Sequence, residues 1–199
     1  MSKIEPITGK SCIRKSWQRL FKSNDPFSVP FRPEIEACII FPFTEGCALT
    51  LAQYEAIITA ARTLGDQGFI LSEVEWKGDF FERGKHWWCE FPRHEDYLIQ
   101  APILENALYS LHSRWGVLIS HEWHAMVGGS ETFMMNVDKM YPEWRAAIID
   151  LIESWEKVTP GHWVTNMFIE LLDYWKRYPG DEWSAQVTEK FNYKLRRNP

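Results

Sequence analysis

The stretch Ala107-Leu-Tyr-Ser-Leu-His-Ser-Arg-Trp-Gly-Val-Leu-Ile-Ser120 decides the fold class of this protein. Two apolar runs, 107–111 and 115–120, flank the polar triplet His112-Ser-Arg. Short runs of this kind, separated by a few turn residues, are typical of antiparallel strands that form a hairpin. The sequence therefore predicts an antiparallel hairpin at this place in the chain.

Two further strands are predicted upstream, over 70–76 and 86–91, and the nine residues between them predict a long hairpin loop. Successive side chains of a strand point to opposite faces of the sheet. The more apolar face of each strand, with Trp76 in the first and Trp87 in the second, is expected to point inward. The polar faces of the two strands would then point to solvent together.

Outside this region the first half of the chain predicts one strand and one helix. The apolar run 36–43 is bounded by turn signals, which is typical of a buried strand. Thr50 then begins a helix, because Gln53 stands three residues later and completes a capping box. Gly65 is expected to end that helix, since glycine is the usual residue just beyond a helix C-terminus.

The C-terminal third predicts helices over 130–140, 142–158, 164–178 and 183–195, because apolar residues recur there with helical spacing. In the second of these helices one face is expected to be buried, and its members are Trp144, Ile148, Leu151 and Trp155. Strands in the middle and helices at the end predict an α+β fold. We expect a central antiparallel sheet with helices packed on one side.

The chain has 199 residues, which fits one large domain. Residues 1–33 hold seven Lys and Arg against two Asp and Glu, with prolines through their second half. They predict a basic irregular arm, or a short amphipathic helix around Ile13–Phe21 that is followed by an extended segment. Residues 34–199 are expected to form the single α+β domain.

Charge is distributed unevenly along the chain. Residues 34–189 hold 25 Asp and Glu against 11 Lys and Arg, although the net charge of the whole chain is only −5. Such a body repels nucleic acid and anionic lipid and attracts cationic surfaces. The expected partner is therefore a basic protein. Binding to a nucleic acid or to a membrane is not expected.

Cysteine usage and hydropathy indicate a cytoplasmic protein. The four cysteines form no Cys-x-x-Cys pair, so neither a zinc knuckle nor a redox motif is predicted. No signal segment and no run of about 18 apolar residues is present, so we expect no membrane span. No nucleotide-binding or hydrolase motif occurs either, and no cofactor is expected.

One short segment, His121-Glu-Trp-His124, leaves a metal-assisted hydrolase open as an alternative function. Two histidines beside a glutamate are a plausible metal set, with Glu122 as the base. A helical zinc motif places its histidines four residues apart, however, and here they are three apart in a segment that follows a strand. The spacing therefore predicts no catalytic metal. Cys47, just before the helix at Thr50, is a weaker candidate nucleophile.

The stretch Asn106-Ala-Leu-Tyr-Ser, Trp115-Gly-Val-Leu-Ile-Ser-His-Glu and Gly128-Gly-Ser, ending at Phe133, resembles a hairpin pattern of bacterial toxin-immunity proteins. In that pattern a strand with Trp-Gly precedes a Gly-Gly turn and a helix. The resemblance covers about 28 residues and contains no catalytic motif. It implies a protein that neutralises one cognate toxin by electrostatic fit, and the basic ends of this chain depart from a plainly acidic inhibitor.

The sequence places the partner-binding surface on the hairpin of residues 73–90. Acidic and aromatic residues share it, as they do in interface hot spots, and its members are Glu73, Glu75, Asp79, Phe80, Phe81, Glu82, His86, Trp88 and Glu90. The hypothesis requires that at least one of Phe80 and Phe81 be exposed, and the opposite reading is that both turn into the core. A structural component that oligomerises through its Trp-rich helices is the remaining alternative.

Overall fold

The computed structural model describes residues 3–42, 44–75, 79–102, 104–154, 162–175 and 182–197. Its strands are β1 (Ile4–Pro6), β2 (Ala37–Pro42), β3 (Phe69–Glu73), β4 (His86–Cys89), β5 (Asn106–Tyr109), β6 (Trp115–Ser120) and β7 (His124–Gly129). They form one antiparallel sheet in the order β1-β4-β3-β5-β6-β7-β2. The predicted α+β class is confirmed.

The described helices are α1 (Lys10–Leu20), α2 (Leu51–Thr63), α3 (Phe80–Arg83), α4 (His94–Gln100), α5 (Glu131–Met140), α6 (Trp144–Ser154), α7 (Trp163–Trp175) and α8 (Glu182–Arg197). The predicted capping box is present, because the Thr50 hydroxyl accepts from the Gln53 backbone N–H and the Gln53 side chain accepts from the Thr50 backbone. Within these ranges, no helix combines the length and the apolarity needed to cross a lipid bilayer.

The hairpin predicted over 107–120 is confirmed as β5 and β6, which pair from Asn106 opposite Ile119 to Tyr109 opposite Gly116. The pair Gly128-Gly129 is different from the prediction, since it lies inside β7 and forms no turn. The reason is close packing. A Cβ atom on Gly128 would lie 2.8 Å from the Phe31 ring, and one on Gly129 would lie 2.8 Å from the Phe133 ring.

The face of the sheet that carries Ser72, Tyr109, Gly116 and Gly128 is called here the N-terminal face. It is covered by residues from the first part of the chain: Phe21 lies over Gly116, and Trp17 of α1 packs edge-on against Tyr109 at 5.5 Å between ring centroids. These aromatic residues are buried. Helix α1 confirms the amphipathic helix that was one of the two interpretations of this segment. The segment contributes to the same core as the rest of the chain, which an irregular arm would not do.

The opposite face of the sheet, called the helical face, lies beneath α2 and α5. Phe133 of α5 stacks on Trp115 with ring centroids 5.3 Å apart. The indole N–H of Trp115 donates to the buried carboxylate of Asp66, which also accepts from Arg114 and Ser110. Helices consequently cover both faces of the sheet. The expectation that helices pack on one side describes the helical face and omits α1 on the N-terminal face.

The C-terminal helices α6 and α7 lie against β2, the strand at one end of the sheet. The expected stripe of α6 is buried at Trp144 and Ile148 and half-buried at Leu151, while Trp155 lies outside the described residues. The predicted inward positions of α7 and α8 are confirmed as buried or half-buried: Val164, Met167, Leu171, Trp175, Trp183, Val187, Phe191 and Leu195. An edge strand covered in this way is protected from pairing with another chain.

Candidate functional site

The two phenylalanines of the predicted binding loop point into the core. Asp79 caps the four-residue helix α3 by accepting from the Phe81 backbone N–H. Phe80 and Phe81 are only 6% and 7% exposed, and both rings pack against Trp17. The interpretation of these rings as exposed interface residues is therefore wrong, because α1 covers the loop.

The acids of the same loop are paired within the chain. Arg14 of α1 lies 2.7 Å from Asp79 and 3.4 Å from Glu82, and Lys10 lies 3.3 Å from Glu82. The hydrogen bond from Arg14 lowers the pKa of Asp79, so that this carboxylate is held in its charged form. Asp79 and Glu82 thus connect α3 to α1, and the positive charges of Arg14 and Lys10 partly neutralise their carboxylates.

His86 is buried, which corrects the assignment of its strand face. The register pairs Ser72 with His86 and Leu71 with Trp87, so His86 lies on the N-terminal face and Glu73 on the helical face. The His86 Nδ1 atom is 2.8 Å from the Ser72 hydroxyl, and burial lowers the pKa of the imidazole. The polar residues of β3 and β4 do not share an exposed face.

Trp88 is half-buried beside His86, while Glu90 and Glu75 are exposed. A Cβ atom on Gly68 would lie 2.7 Å from the Trp88 ring. The predicted surface is thus divided: its aromatic and imidazole members support the core, and its exposed acids lie in different places.

A cleft of about 450 Å³ opens where β3 ends and β4 and β5 begin. Its acidic members are Glu73, Glu75 and Glu105, and Lys85 is the one cation among the described residues that line it. The remaining lining residues supply an indole ring, aliphatic surface and one amide: Trp87, Gln100, Ala101, Pro102 and Leu104. Two residues of the predicted surface, Glu73 and Glu75, thus lie in this cleft. The residues that form the rest of its lining were not predicted from the sequence.

The carboxylates of the cleft have distinct surroundings. Glu105 is buried, and its Oε1 atom lies 2.9 Å from Nδ1 of His121. Burial raises the pKa of Glu105 despite this contact. Glu73 accepts from the Lys85 backbone N–H at 3.1 Å, while the Lys85 side chain is 74% exposed and its ammonium is 3.8 Å from Glu73. Three acids against one exposed lysine give the cleft an excess of acidic groups.

The two histidines of His121-Glu-Trp-His124 do not converge. They flank the turn between β6 and β7, where His121 is directed to Glu105 and the buried His124 contacts the Pro26 carbonyl through Nε2 at 2.9 Å. In the part of the chain that the structure describes, no group of three His, Cys, Asp or Glu residues is arranged to hold a metal ion.

Cys47 is a poor nucleophile in its surroundings. Burial raises the pKa of its thiol, and the nearby carboxylates of Glu105 and Glu75 raise it further. Since the thiolate is the reactive form, this arrangement keeps the sulfur in its unreactive state. Cys47 instead contributes its carbonyl, which accepts from the Asn106 side chain at 2.7 Å.

Sequence reasoning missed Trp87, Leu104 and Glu105 as members of one site. Trp87 was predicted to face the core, and it does lie on the helical face, but it is half-buried at the edge of the cleft. The sequence around Glu105 could not identify it as a site residue, because its partner His121 is 16 residues away across the β5–β6 hairpin. An acid directly before a strand was the only available hint.

Comparison with known proteins adds no assignment. No family model matches the sequence, no curated protein matches it, and no solved structure matches the fold.

Proposed function

We propose that this protein is a non-enzymatic binding protein whose acidic cleft receives a cationic side chain of a basic protein partner. The observation that carries the proposal is the convergence of Glu73, Glu75 and Glu105 on one cleft whose wall includes Trp87. Carboxylates attract the charge of such a side chain, while the indole ring and Leu104 cover its aliphatic stem. An immunity or inhibitor protein that blocks a basic toxin has these requirements.

Arginine suits the cleft better than lysine. Within this molecule the same components already hold arginine twice. Arg145 pairs with Asp138 while its guanidinium lies 5.0 Å from the Trp144 ring centroid, and Arg14 pairs with Asp79 while lying 4.8 Å from the Phe81 ring centroid. A planar guanidinium stacks on an aromatic ring and donates to carboxylates at once, which an ammonium does less well.

The charge of the wider molecule supports the same partner. The acidic excess of residues 34–189 would accelerate the encounter with a basic protein and weaken with added salt. Nucleic acid is disfavoured as a partner for the same reason. We place the protein in the cytoplasm, where four free cysteines are stable as thiols.

The test uses a hexa-arginine peptide as a stand-in for the partner, with hexa-lysine as comparison, in titration calorimetry at low salt. The variant Glu73→Gln with Glu75→Gln removes two charges from the cleft. We expect it to weaken hexa-arginine binding about tenfold, which corresponds to about 1.4 kcal/mol. Trp87→Ala is expected to reduce the preference for arginine over lysine.

The matched control is Glu90→Gln with Glu95→Gln, which removes the same charge from exposed positions outside the cleft. It changes the net charge by the same amount, so any loss that it shares with the cleft variant reflects general attraction. Equal weakening by both double variants, or wild-type affinity in the cleft variant, would contradict the proposal.

A further inference from the structure

A second cavity, of about 140 Å³, lies at the other end of the sheet from the acidic cleft. Three strands, β5, β6 and β7, separate its strand β2 from β3 in the sheet order. Side chains from β2, α5, α6, α7 and α8 line it: Ile39, Met134, Met135, Asp138, Trp144, Arg145, Trp175, Trp183 and Ser184. Five elements thus contribute to one cavity that the proposed function does not use.

Three indole rings dominate the lining. Trp183 packs edge-on against Trp144 at 4.8 Å and against Trp175 at 5.2 Å between ring centroids. Their polar atoms are all engaged within the protein. The indole N–H of Trp144 donates to the Asp138 carboxylate. That of Trp175 donates to the Cys38 backbone carbonyl, and that of Trp183 donates to the Arg145 backbone carbonyl. The rings therefore present carbon to the cavity.

Aromatic rings around a carboxylate are also the components of a site for quaternary ammonium ions. Here the cation position is already filled by the protein. The Arg145 guanidinium lies 5.0 Å from the Trp144 ring centroid and 5.1 Å from that of Trp183. Both oxygens of Asp138 accept from Arg145, at 2.9 and 3.3 Å. An incoming cation would meet a positive charge and a carboxylate that is already neutralised.

We propose that this cavity, defined by Trp144, Trp175 and Trp183, binds a small neutral aromatic molecule of one or two rings. Its volume is close to that of engineered apolar cavities of about 150 Å³ that stay dry and bind benzene. A flat hydrocarbon ring matches walls made of indole rings and methionine side chains. Its binding requires no hydrogen bond from the lining and leaves the Arg145–Asp138 pair in place.

The test titrates the full-length protein with benzene and with indole, and with tetramethylammonium as the cationic comparison. Nitrogen-15 NMR spectra resolve the indole N–H groups. We expect benzene and indole to shift the signals of Trp144, Trp175 and Trp183 and to raise the melting temperature. The signal of Trp123, which lies 66% exposed on the β6–β7 turn, is expected to stay in place.

A filling variant shows whether the cavity itself is responsible. Ser184→Leu adds side-chain volume from the lining of α8, and we expect benzene binding to weaken at least tenfold. Ala185→Leu adds an aliphatic side chain at the next, exposed position of the same helix and is expected to bind as the wild type does. If Ser184→Leu does not fold, Met134→Phe fills the cavity from α5 instead.

Three results would overturn the proposal. The first is the absence of any shift with benzene or indole up to their solubility. The second is undiminished binding in the filled variants. The third is tetramethylammonium binding in preference to the neutral rings, which would mean that Arg145 leaves its place and that the site takes a cation.

Discussion

Two buried histidines, His86 and His124, are kept neutral by the fold. Burial is the largest cause that lowers the pKa of each imidazole below its ordinary value of 6.5. The Nε2 atom of His124 donates to the Pro26 carbonyl, and its ring stacks on Trp163 at 5.4 Å between centroids. Both residues therefore link the sheet to segments that cover it.

This neutrality predicts an acid-sensitive fold. Unfolding exposes both imidazoles, which then take up protons below a pH of about 6.5, whereas the folded state resists protonation until a lower pH. The free energy of unfolding should accordingly fall as the pH drops below about 6.5, by at most about 1.4 kcal/mol per unit for each histidine. Urea unfolding at several pH values between 5 and 8 measures it.

The variant His124→Gln isolates one contribution, because glutamine does not titrate and can still donate to the Pro26 carbonyl. Its stability should change less between pH 6.5 and 5 than that of the wild type. His112→Gln, at an exposed position, serves as the control and should keep the wild-type slope. Parallel pH profiles for wild type and His124→Gln would show that His124 is not held neutral.

Among the elements, α3 shows most clearly how a surface loop becomes core. Asp79 starts this helix, and Arg14 of α1 holds it from outside with its guanidinium 4.8 Å from the Phe81 ring centroid. Beneath it, the rings of Phe80 and Phe81 lie 6.2 and 6.4 Å from His86. The short helix closes the N-terminal face of the sheet over β4.

Phe81→Ala should therefore destabilise the protein as a core substitution does, by about 3–5 kcal/mol. Arg14→Ala removes two solvent-exposed ion pairs and the contact of the guanidinium with the Phe81 ring, and it should change stability far less because all of these lie at the surface. Thermal and urea unfolding of the two variants give the comparison. An unchanged melting temperature for Phe81→Ala would show that the ring is not part of the core. Phe81 would then again be a candidate interface residue.

Elements with local signals were predicted well, and those that depend on distant neighbours were not. The capping box at Thr50 and the stripe of α7 are set by residues within a few positions of each other. The two faces of β4 could not be assigned in this way. Which face is exposed to solvent depends on the packing of α1, whose residues precede β4 by more than 60 positions. No alternation within 86–91 contains that information.

At the scale of the whole molecule, the class was predicted and the second covering layer was not. Strand and helix periodicity predicted the sheet and the helical C-terminal third. An amphipathic helix was one of the interpretations of residues 1–33, but its packing on the sheet was not predicted, because Trp17 meets its partner Tyr109 only across a long stretch of sequence. The cleft escaped prediction for a related reason, since Glu73 and Glu105 meet only through the pairing of β3 with β5.

Removal of residues 1–33 should therefore abolish cooperative folding, because it uncovers the N-terminal face of the sheet. Removal of residues 1–8 takes away only the edge strand β1 and should leave a folded, less stable protein. Circular dichroism and urea unfolding distinguish the two. If the chain 34–199 unfolded cooperatively at the wild-type midpoint, the first 33 residues would be an appendage after all.

The position of Phe31 over Gly128 has a consequence for the time at which this protein can fold. The His124 side chain contacts the Pro26 carbonyl across 98 residues of sequence. Phe31 likewise packs on a residue of β7, Gly128, which is synthesised much later than Phe31 itself. At a ribosomal speed of about 5–20 residues per second, the first aromatic residues leave the ribosome roughly 5–20 s before their strand exists. During that interval Trp17, Phe21 and Phe31 lack the sheet face that covers them in the folded protein, and we expect chaperone capture to be concentrated there.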